Sequence, residues 1–397
     1  MILELISSVV YLGPLDLTTQ ARCSMTFSRR NFLRSAALGG AAAAVTGDLV
    51  LADAPLGQIP AAQADGTLPG AHMPYALRDG QGEHYLIHGQ VATLIARPID
   101  TGGDCTAAVL AGSMDALLPL HRHDATDEAL YVMEGRLELH LDGQIHLLTA
   151  GDYAYIPAGT AHGHRMKSWR TRVLTWSIGE GLGEFWQTLG TPFTRPVQPE
   201  MPDLAVSQER LEAAAAASDV IWMGDLPDAV AKLVTAHGIP EARQPYVLMA
   251  GEGERLVAAD QLFSLLQTSA STGGAFFSVL TEGPAGQPIP WHYHKHHNEN
   301  FFCLAGRMTM WVNGEEITLY PGDYCQVTPG TVHSYRLDTP YTKFFGWLVP
   351  AVFEPFFRYI GDPTSAHVFP VTPPPFRFDR VLAHLDELDL NVMIVRD

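Results

Sequence analysis

The chain has 397 residues, of which 47% are hydrophobic, and this is enough for two domains that each bury a full core. Its 36 glycines and 28 prolines indicate many turns, and therefore many short strands. The formal net charge is −18, with no basic stripe beyond the N-terminal segment. This excludes a nucleic-acid partner, because such a partner requires clustered Lys and Arg.

The N-terminal segment resembles a twin-arginine export signal. Ser28 to Arg34 contains the arginine pair, and a small, apolar run follows from Ala36 to Val45. That run is too short to span a membrane, and Ala62-Gln63-Ala64 is the predicted cleavage site. We therefore expect a periplasmic or secreted protein, with an ordinary amphipathic helix as the alternative. Whether translation starts at Met1 or Met25 stays open.

An internal repeat organises the rest of the chain, because residues of the first half recur 171 positions later. The matches include Gly135 and Gly306, Gly143 and Gly314, Gly151-Asp152-Tyr153 and Gly322-Asp323-Tyr324, Gly159-Thr160 and Gly330-Thr331, and Trp176 and Trp347. The register runs without a gap from residues 102–192 to residues 273–363. The predicted division is a leader (1–64), an N-terminal domain (65–205), an inter-domain segment with a short helix (206–255) and a C-terminal domain ending in a helix (256–397).

Each copy is predicted to consist of short β-strands. Leu137 to Leu141 alternates apolar and polar residues, Asp142-Gly143 supplies a hairpin turn, and Ile145 to Leu148 returns. The second copy repeats the pattern at Met308 to Val312, Asn313-Gly314 and Ile317 to Tyr320. Strands of this kind at regular spacing predict a sandwich or a barrel. Two helices, Ser207 to Ala217 and Phe378 to Leu388, are predicted outside the repeat, as packing elements.

Each copy also carries three histidines and one glutamate at the same spacing. The first copy has His121, His123, Glu128 and His162, and the second has His292, His294, Glu299 and His333. Side chains alternate along a strand with period two, so an H-x-H pair directs both imidazoles to one face. Glu128 is placed at the start of the neighbouring strand, and His162 on a strand remote in sequence.

This ligand set predicts one divalent metal ion in each copy, and up to two per chain. Three neutral imidazoles and a carboxylate suit Fe, Mn, Co, Ni, Cu or Zn. Four protein ligands leave one or two coordination positions open, which indicates chemistry at the metal. A lone H-x-H pair would be weak evidence. Eight candidate ligands at equal offsets favour metal sites, because unpaired polar groups are costly in a barrel interior.

The remaining histidines and the cysteines receive no ligand role. The histidines without a histidine partner in the other copy are His140, His146, His164, His296 and His297. They are expected at the surface or beside the ligands, and His164, which is matched by Tyr335, is the candidate for a hydrogen bond near the metal. Without a CxxC pair, the cysteines after the leader are predicted to be buried free thiols: Cys105, Cys303 and Cys325.

The H-x-H…Glu motif and the later histidine motif resemble those of the cupin superfamily. Because both motifs occur twice, the chain resembles a bicupin. The resemblance implies an all-β fold of two tandem, jelly-roll-like β-barrels with a few peripheral helices. The four-residue gap between H-x-H and Glu is similar to that of flavonol dioxygenases. Longer stretches resemble the bacterial members of that family: 151–162, 245–248, 308–311, 333–337 and 353–358. The resemblance runs from about Tyr75 to the C-terminus, and the export leader is the departure from it.

The resemblance implies oxygenolytic cleavage of a flavonol such as quercetin at its 2,3-bond, with release of carbon monoxide. Glu128 would accept the proton of the 3-hydroxyl group, and Glu299 would play the same part in the second barrel. Iron is the preferred metal, with Mn, Co, Ni or Cu as alternatives. The first barrel is favoured for turnover, because related fungal enzymes keep metal only there. The partners are a flavonol and dioxygen, without nucleic acid or a membrane span, and homodimerisation stays open.

Two other functions stay open. An oxalate decarboxylase-like bicupin would need a small, polar, Arg-lined cavity, and its motif has a three-residue gap. A non-catalytic bicupin that binds metal or another ligand is the second alternative, although such proteins commonly lose metal ligands. A cavity lined by aromatic residues and methionine would favour the flavonol hypothesis.

Overall fold

The computed structural model describes residues 66–179, 182–200, 205–235 and 238–393. The predicted export signal, its cleavage site and Cys23 lie outside the described residues. Within the described part of the chain, no helix is long and apolar enough to cross a membrane.

The first half of the described chain is built mainly of strands. They are β1 (Tyr75–Leu77), β2 (Glu83–Ile87), β3 (Gln90–Ala96), β4 (Thr106–Gly112), β5 (Leu117–His123), β6 (Asp127–Glu134), β7 (Arg136–Leu141), β8 (Gln144–Thr149), β9 (Tyr153–Ile156), β10 (His162–Met166), β11 (Thr171–Ile178), β12 (Thr191–Phe193), β13 (Val220–Gly224) and β14 (Lys232–Leu233). The helices are α1 (Pro98–Thr101), α2 (Leu182–Leu189) and α3 (Gln208–Ala217).

The second half repeats this order. Its strands are β15 (Tyr246–Leu248), β16 (Glu254–Ala258), β17 (Gln261–Gln267), β18 (Phe277–Gly283), β19 (His292–Tyr293), β20 (Asn298–Ala305), β21 (Met308–Val312), β22 (Glu315–Leu319), β23 (Tyr324–Val327), β24 (His333–Leu337), β25 (Thr342–Val349), β26 (Asp362–Pro363) and β27 (Asn391–Val392). Its helices are α4 (Ser269–Thr272), α5 (Glu354–Ile360) and α6 (Phe378–Leu382), with 3₁₀ turns at Ala351–Phe353 and Leu385–Glu387. The all-β class with a few helices is confirmed.

Each half folds into two facing sheets that form a barrel. In the described part of the chain, the first barrel has an eight-stranded sheet, β12-β2-β3-β4-β11-β6-β9-β15, and a six-stranded sheet, β13-β5-β10-β7-β8-β14. The second barrel has an eight-stranded sheet, β1-β23-β20-β25-β18-β17-β16-β26, and a five-stranded sheet, β22-β21-β24-β19-β27. Two tandem barrels are therefore confirmed.

The predicted hairpin turns are present in both barrels. Asp142 and Gly143 join β7 to β8 with φ angles of 48° and 76°, and Asn313 and Gly314 join β21 to β22 with φ angles of 49° and 91°. Two successive residues with positive φ match the right-handed twist of the flanking strands, which explains the Asp-Gly and Asn-Gly pairs.

The two barrels exchange their first strands. β1, from the N-terminal half, pairs with β23 of the second barrel, and β15 pairs with β9 of the first barrel. The two exchanges are equivalent in the repeat. Tyr75 lies opposite Gln326, and Tyr246, the equivalent of Tyr75, lies opposite Tyr155, the equivalent of Gln326. The sequence-based domain boundaries stay a prediction, but a linear division of the chain does not describe strands shared in this way.

Aromatic residues join the barrels at the centre of the molecule. Trp176 and Trp347, which are equivalent in the repeat, stack with ring centroids 5.3 Å apart and an interplanar angle of 17°. Both rings are fully buried, and they belong to one hydrophobic core that contains residues of both halves. Because this core and the exchanged strands cross the boundary, we expect the two barrels to unfold together.

The two predicted helices lie inside the repeat, which corrects the sequence analysis. Helix α3 is followed by β13, and α6 with its 3₁₀ turn is followed by β27, at equivalent places in the two halves. Ser207 caps α3, as predicted, since its hydroxyl accepts a hydrogen bond from the Arg210 backbone N–H. The low sequence similarity of these segments concealed the equivalence.

The three described cysteines are free and buried, as predicted. Burial raises the pKa of Cys105, Cys303 and Cys325 to about 12. Since the thiolate is the reactive form, these residues are expected to be inert structural thiols.

Replacing Tyr75 with alanine is expected to destabilise the protein by about 3–5 kcal/mol, the usual cost of deleting a large buried side chain. The Tyr75 ring is 3% exposed and its hydroxyl donates to the Ile95 carbonyl at 2.7 Å, so it anchors the exchanged strand. Denaturant unfolding would measure the loss. The control is Tyr320→Ala, a residue that is 50% exposed, for which little change is expected. An unchanged free energy of unfolding for Tyr75→Ala would contradict a stabilising role for the exchange.

Candidate metal centres

The first barrel brings together all four of its predicted ligands. His121 and His123 lie on β5, and His162 lies on β10, directly opposite His121 in the antiparallel pair. Glu128 lies on β6. The ligand atoms of the four residues are within 4.8 Å of one another, and all four residues are buried. The predicted ligand geometry is therefore present in the first barrel.

The second barrel repeats this geometry with His292, His294, Glu299 and His333, which are also buried and within 4.8 Å of one another. The rings of His292 and His333 are 4.2 Å apart, the same separation as between His121 and His162. The two centres are therefore close structural copies in their histidine arrangement.

Glu128 lies at the start of the strand after β5, as predicted, and this strand belongs to the facing sheet. Glu128 lies on β6, which belongs to the eight-stranded sheet, whereas β5 and β10 belong to the facing six-stranded sheet. Glu299 on β20 has the same relation to His292 and His333. Each centre is thus held between the two sheets, because imidazoles project from one sheet and a carboxylate from the other.

Hydrogen bonds fix the tautomer of each ligand histidine. His121 and His162 donate from Nδ1 to the carbonyls of Pro119 and Thr160, at 2.7 and 2.9 Å. Nδ1 of His123 donates to the Asp219 carboxylate at 2.8 Å. A neutral imidazole that donates from Nδ1 carries its lone pair on Nε2, which here faces the centre.

The same arrangement holds in the second barrel. His292, His294 and His333 donate from Nδ1 to backbone carbonyls at 2.8, 2.5 and 3.0 Å. Within the described residues, the buried Nε2 atoms of His121, His123 and His294 have no hydrogen-bond partner. Converging nitrogen lone pairs beside a carboxylate, without donors between them, fit a bound cation.

The charge states of the isolated side chains also fit a divalent metal. Burial and neighbouring imidazoles hold the pKa of His121 and of His292 well below the usual value, so both are neutral. Burial opposes ionisation of Glu128 and Glu299, but the adjacent histidines outweigh it, and the pKa of each carboxyl lies below its usual value. Neutral imidazoles and an ionised carboxylate are the forms that bind metal.

The two centres differ in the support of their carboxylates. Thr175 donates from its hydroxyl to Glu128 Oε1 at 2.7 Å. The equivalent position in the second barrel is Gly346, which carries no donor and lines a cavity. This difference lies at a position where the two copies do not match, so the repeat alone did not reveal it.

Of the five histidines that the sequence analysis expected at the surface or beside the ligands, three are buried. His140 lies beside Glu138 at 3.2 Å, and His164 beside Gln90 at 3.0 Å, so the hydrogen bond expected for His164 is made to a glutamine. His297 lies beside the second centre, with its Nε2 atom 3.7 Å from Glu299 Oε1. Burial lowers the pKa of His164 to about 4, so this side chain is neutral.

A large cavity opens onto the second centre. It has a volume of about 1070 Å³, and the lining residues include His292, Glu299 and His333. Its walls are mostly apolar and carry many aromatic rings, among them Phe301, Tyr335 and Phe344. The lining contains no methionine among the described residues, so the expectation of aromatic and methionine walls is met only for the aromatic part.

Aromatic rings pack closely around the first centre. Phe185 of α2 lies 6.1 Å from the ring of His121 and 5.7 Å from that of His123, and Trp222 of β13 lies 5.5 Å from His121. Phe185 is 1% exposed. These rings shield the histidines of the first centre from solvent.

The sequence of this chain matches a known domain family and is similar to two characterised proteins. The Cupin domain family matches residues 115–176 and 279–342. The chain is 45% identical over 328 residues to quercetin 2,3-dioxygenase of Bacillus subtilis, which covers 82% of this chain and 97% of that protein. It is also 32% identical over 130 residues to quercetin 2,3-dioxygenase of Aspergillus japonicus, covering 31% of this chain and 37% of that protein.

Solved structures that match this chain share little sequence with it. One is oxalate decarboxylase from Bacillus subtilis at pH 4.6, with 15% identity and a TM-score of 0.45, covering 71% of this chain and 77% of that chain. Another is the Ylba protein from E. coli, with 11% identity and a TM-score of 0.48, covering 77% of this chain and 96% of that chain.

Proposed function

This chain belongs to the quercetin 2,3-dioxygenase family of bicupins, which are metal-dependent dioxygenases, and we propose that it cleaves a flavonol in its second barrel with release of carbon monoxide. The observation that carries this proposal is the aromatic-walled cavity that ends at His292, Glu299 and His333. A flat, polycyclic flavonol suits such walls, and a cavity of about 1070 Å³ has room for it.

The second barrel is preferred here over the first, which the sequence analysis favoured. Gly346 lines the cavity beside Glu299, and the Thr175 side chain takes up the equivalent space in the first barrel. Phe185 and Trp222 further fill the surroundings of His121. Space for a large substrate beside the carboxylate therefore supports turnover at the second centre.

The residues of the second centre have distinct roles in the proposed reaction. Glu299, ionised and 7% exposed, accepts the proton of the flavonol 3-hydroxyl group. The apolar walls exclude water and hold the ring system against the carboxylate. His292, His294 and His333 would hold the metal ion, which supplies Lewis-acid polarisation of the substrate oxygen when bound.

For the metal, we propose one divalent transition ion in each barrel, with iron preferred and Mn, Co, Ni or Cu as alternatives. Three imidazoles and a carboxylate in each buried cluster support this proposal, since such sets suit all of these ions. The first centre, enclosed by aromatic rings, would then serve mainly to stabilise its barrel.

The alternative activities receive less support. An oxalate decarboxylase-like enzyme would require a small and polar cavity, whereas the cavity at Glu299 is large and mostly apolar. A non-catalytic bicupin that binds a ligand could have such a cavity, but it would not need a complete set of metal ligands at the end of it. Both alternatives predict that quercetin is not consumed.

We also propose that the protein is exported through the twin-arginine pathway. The arginine pair and small apolar run of the N-terminal segment support this location. Fractionation of cells that express the chain, with Arg29-Arg30 replaced by lysines as the control, would test it.

The proposed function is tested by loading the metal-free protein anaerobically with Fe, Mn, Co, Ni, Cu or Zn, adding quercetin, and admitting air. We expect loss of the flavonol absorbance and formation of one carbon monoxide per flavonol consumed with the competent metal. The control is the metal-free chain, which should consume none. Protein that is shown to be loaded and yet consumes no quercetin with any of these metals would overturn the proposal.

A further inference from the structure

We propose that His297 is a fifth ligand of the second metal centre, with no counterpart in the first. The residue at the equivalent position of the first barrel is Thr126, which carries no imidazole. The two centres, alike in their other ligands, would then bind metal with four imidazoles and a carboxylate in one barrel and three imidazoles and a carboxylate in the other.

The first support is the orientation of the His297 ring. Its Nδ1 atom donates to Asp389 Oδ2 at 2.8 Å, as Nδ1 of His123 donates to Asp219 in the first centre. An outer carboxylate on Nδ1 fixes the ring and makes Nε2 the atom that can bind metal. Asp389 is held in turn by the backbone N–H groups of Lys295 and His296, each at 2.8 Å.

The second support is the position of the His297 Nε2 atom. The side chain is fully buried, and Nε2 has no hydrogen-bond partner in the described part of the chain. It lies 3.7 Å from Glu299 Oε1, and His294 Nε2 lies 3.5 Å from the same oxygen. Donor atoms about 3–4 Å apart are the spacing of neighbouring ligands around a metal at about 2.1 Å.

The third support is the electrostatic environment. Asp389 Oδ2 lies 2.8 Å from His297 Nδ1, and Glu299 Oε1 lies 3.7 Å from His297 Nε2. Two carboxylates beside one imidazole favour a cation at this place. The first barrel offers Thr126 in this place and therefore no nitrogen for a cation.

The fifth ligand is compatible with an open centre. His292, Glu299 and His333 line the cavity, whereas His294 and His297 do not. His297 therefore approaches from the side away from the cavity and would leave the side that faces the cavity free for substrate. The four imidazoles would hold the metal ion, and the carboxylate of Glu299 would be available to accept a proton. This last consequence rests on the proposed function, whereas the ligand assignment does not.

The test removes the glutamate from each centre and counts the metal ions that remain. After loading with Co(II) or Mn(II) and dialysis against a chelator, we expect about two ions per chain for Glu299→Ala and about one for the matched variant Glu128→Ala. Glu299→Ala combined with His297→Thr should fall to about one. His296→Thr, a change at an exposed neighbour, serves as the control and should keep two.

The single variant His297→Thr provides a second measurement if the double variant does not fold. We expect about 10–100-fold weaker retention of one of the two ions against a chelator, and a changed visible spectrum of the Co(II) protein. Equal losses of metal in Glu299→Ala and Glu128→Ala, or an unchanged Co(II) spectrum in His297→Thr, would overturn the assignment. Both readouts measure metal binding. They therefore test the ligand assignment even if the protein does not turn over quercetin.

Discussion

Replacing Glu299 with glutamine is expected to lower the rate of flavonol turnover by about 10²–10⁴-fold, the usual contribution of a general base. Glutamine has nearly the same shape and keeps an oxygen that can face the metal, but it does not accept a proton. The metal content should therefore stay at two ions per chain. Anaerobic binding of quercetin should also persist, because the apolar cavity walls are unchanged.

The matched change in the first barrel, Glu128→Gln, distinguishes the two centres. If turnover occurs in the second barrel, this variant should keep most of its activity, since Phe185 and Trp222 pack against His121 of the first centre. Steady-state rates of flavonol loss, measured beside the metal content of each variant, make the comparison. A large loss in Glu128→Gln with full activity in Glu299→Gln would place the reaction in the first barrel, as the sequence resemblance favoured.

Replacing Gly346 with leucine is expected to reduce kcat/KM for quercetin by about 100-fold or more, because a misplacement of substrate by about 1 Å can have that effect. Gly346 lines the cavity beside Glu299, and a leucine side chain there would occupy the space proposed for the substrate. The change should leave both metal ions in place, since Gly346 is not a ligand.

Gly346→Ala is the control for this experiment. A Cβ atom at this position would meet its nearest neighbour, Val279 Cγ1, at 3.5 Å, which is an ordinary van der Waals contact. Alanine should therefore fold normally and lose little activity. Kinetics and anaerobic quercetin titrations of the two variants would separate lost binding from lost chemistry. Unchanged kcat/KM in Gly346→Leu would show that the flavonol is not bound in this cavity.

The sequence by itself determined the fold class and identified the residues that cluster in both centres. H-x-H on a strand, an Asp-Gly or Asn-Gly hairpin and a fixed repeat offset are local patterns, and they report local geometry directly. His121, His123, Glu128 and His162 come together as predicted, and so do their four equivalents. The hairpins and the buried free cysteines follow from the same kind of local signal.

The tertiary structure alone decided how the barrels are joined and how the centres differ. The strand exchange of β1 and β15, and the approach of Glu128 from the facing sheet, depend on contacts between segments far apart in the chain. Asp219 and Asp389, which orient His123 and His297, follow helices whose sequences have diverged too far to reveal the repeat. A repeat reveals what two copies share, whereas the cavity at Gly346 and the buried His297 arise where the copies differ. Their effect depends on which atoms surround them after folding.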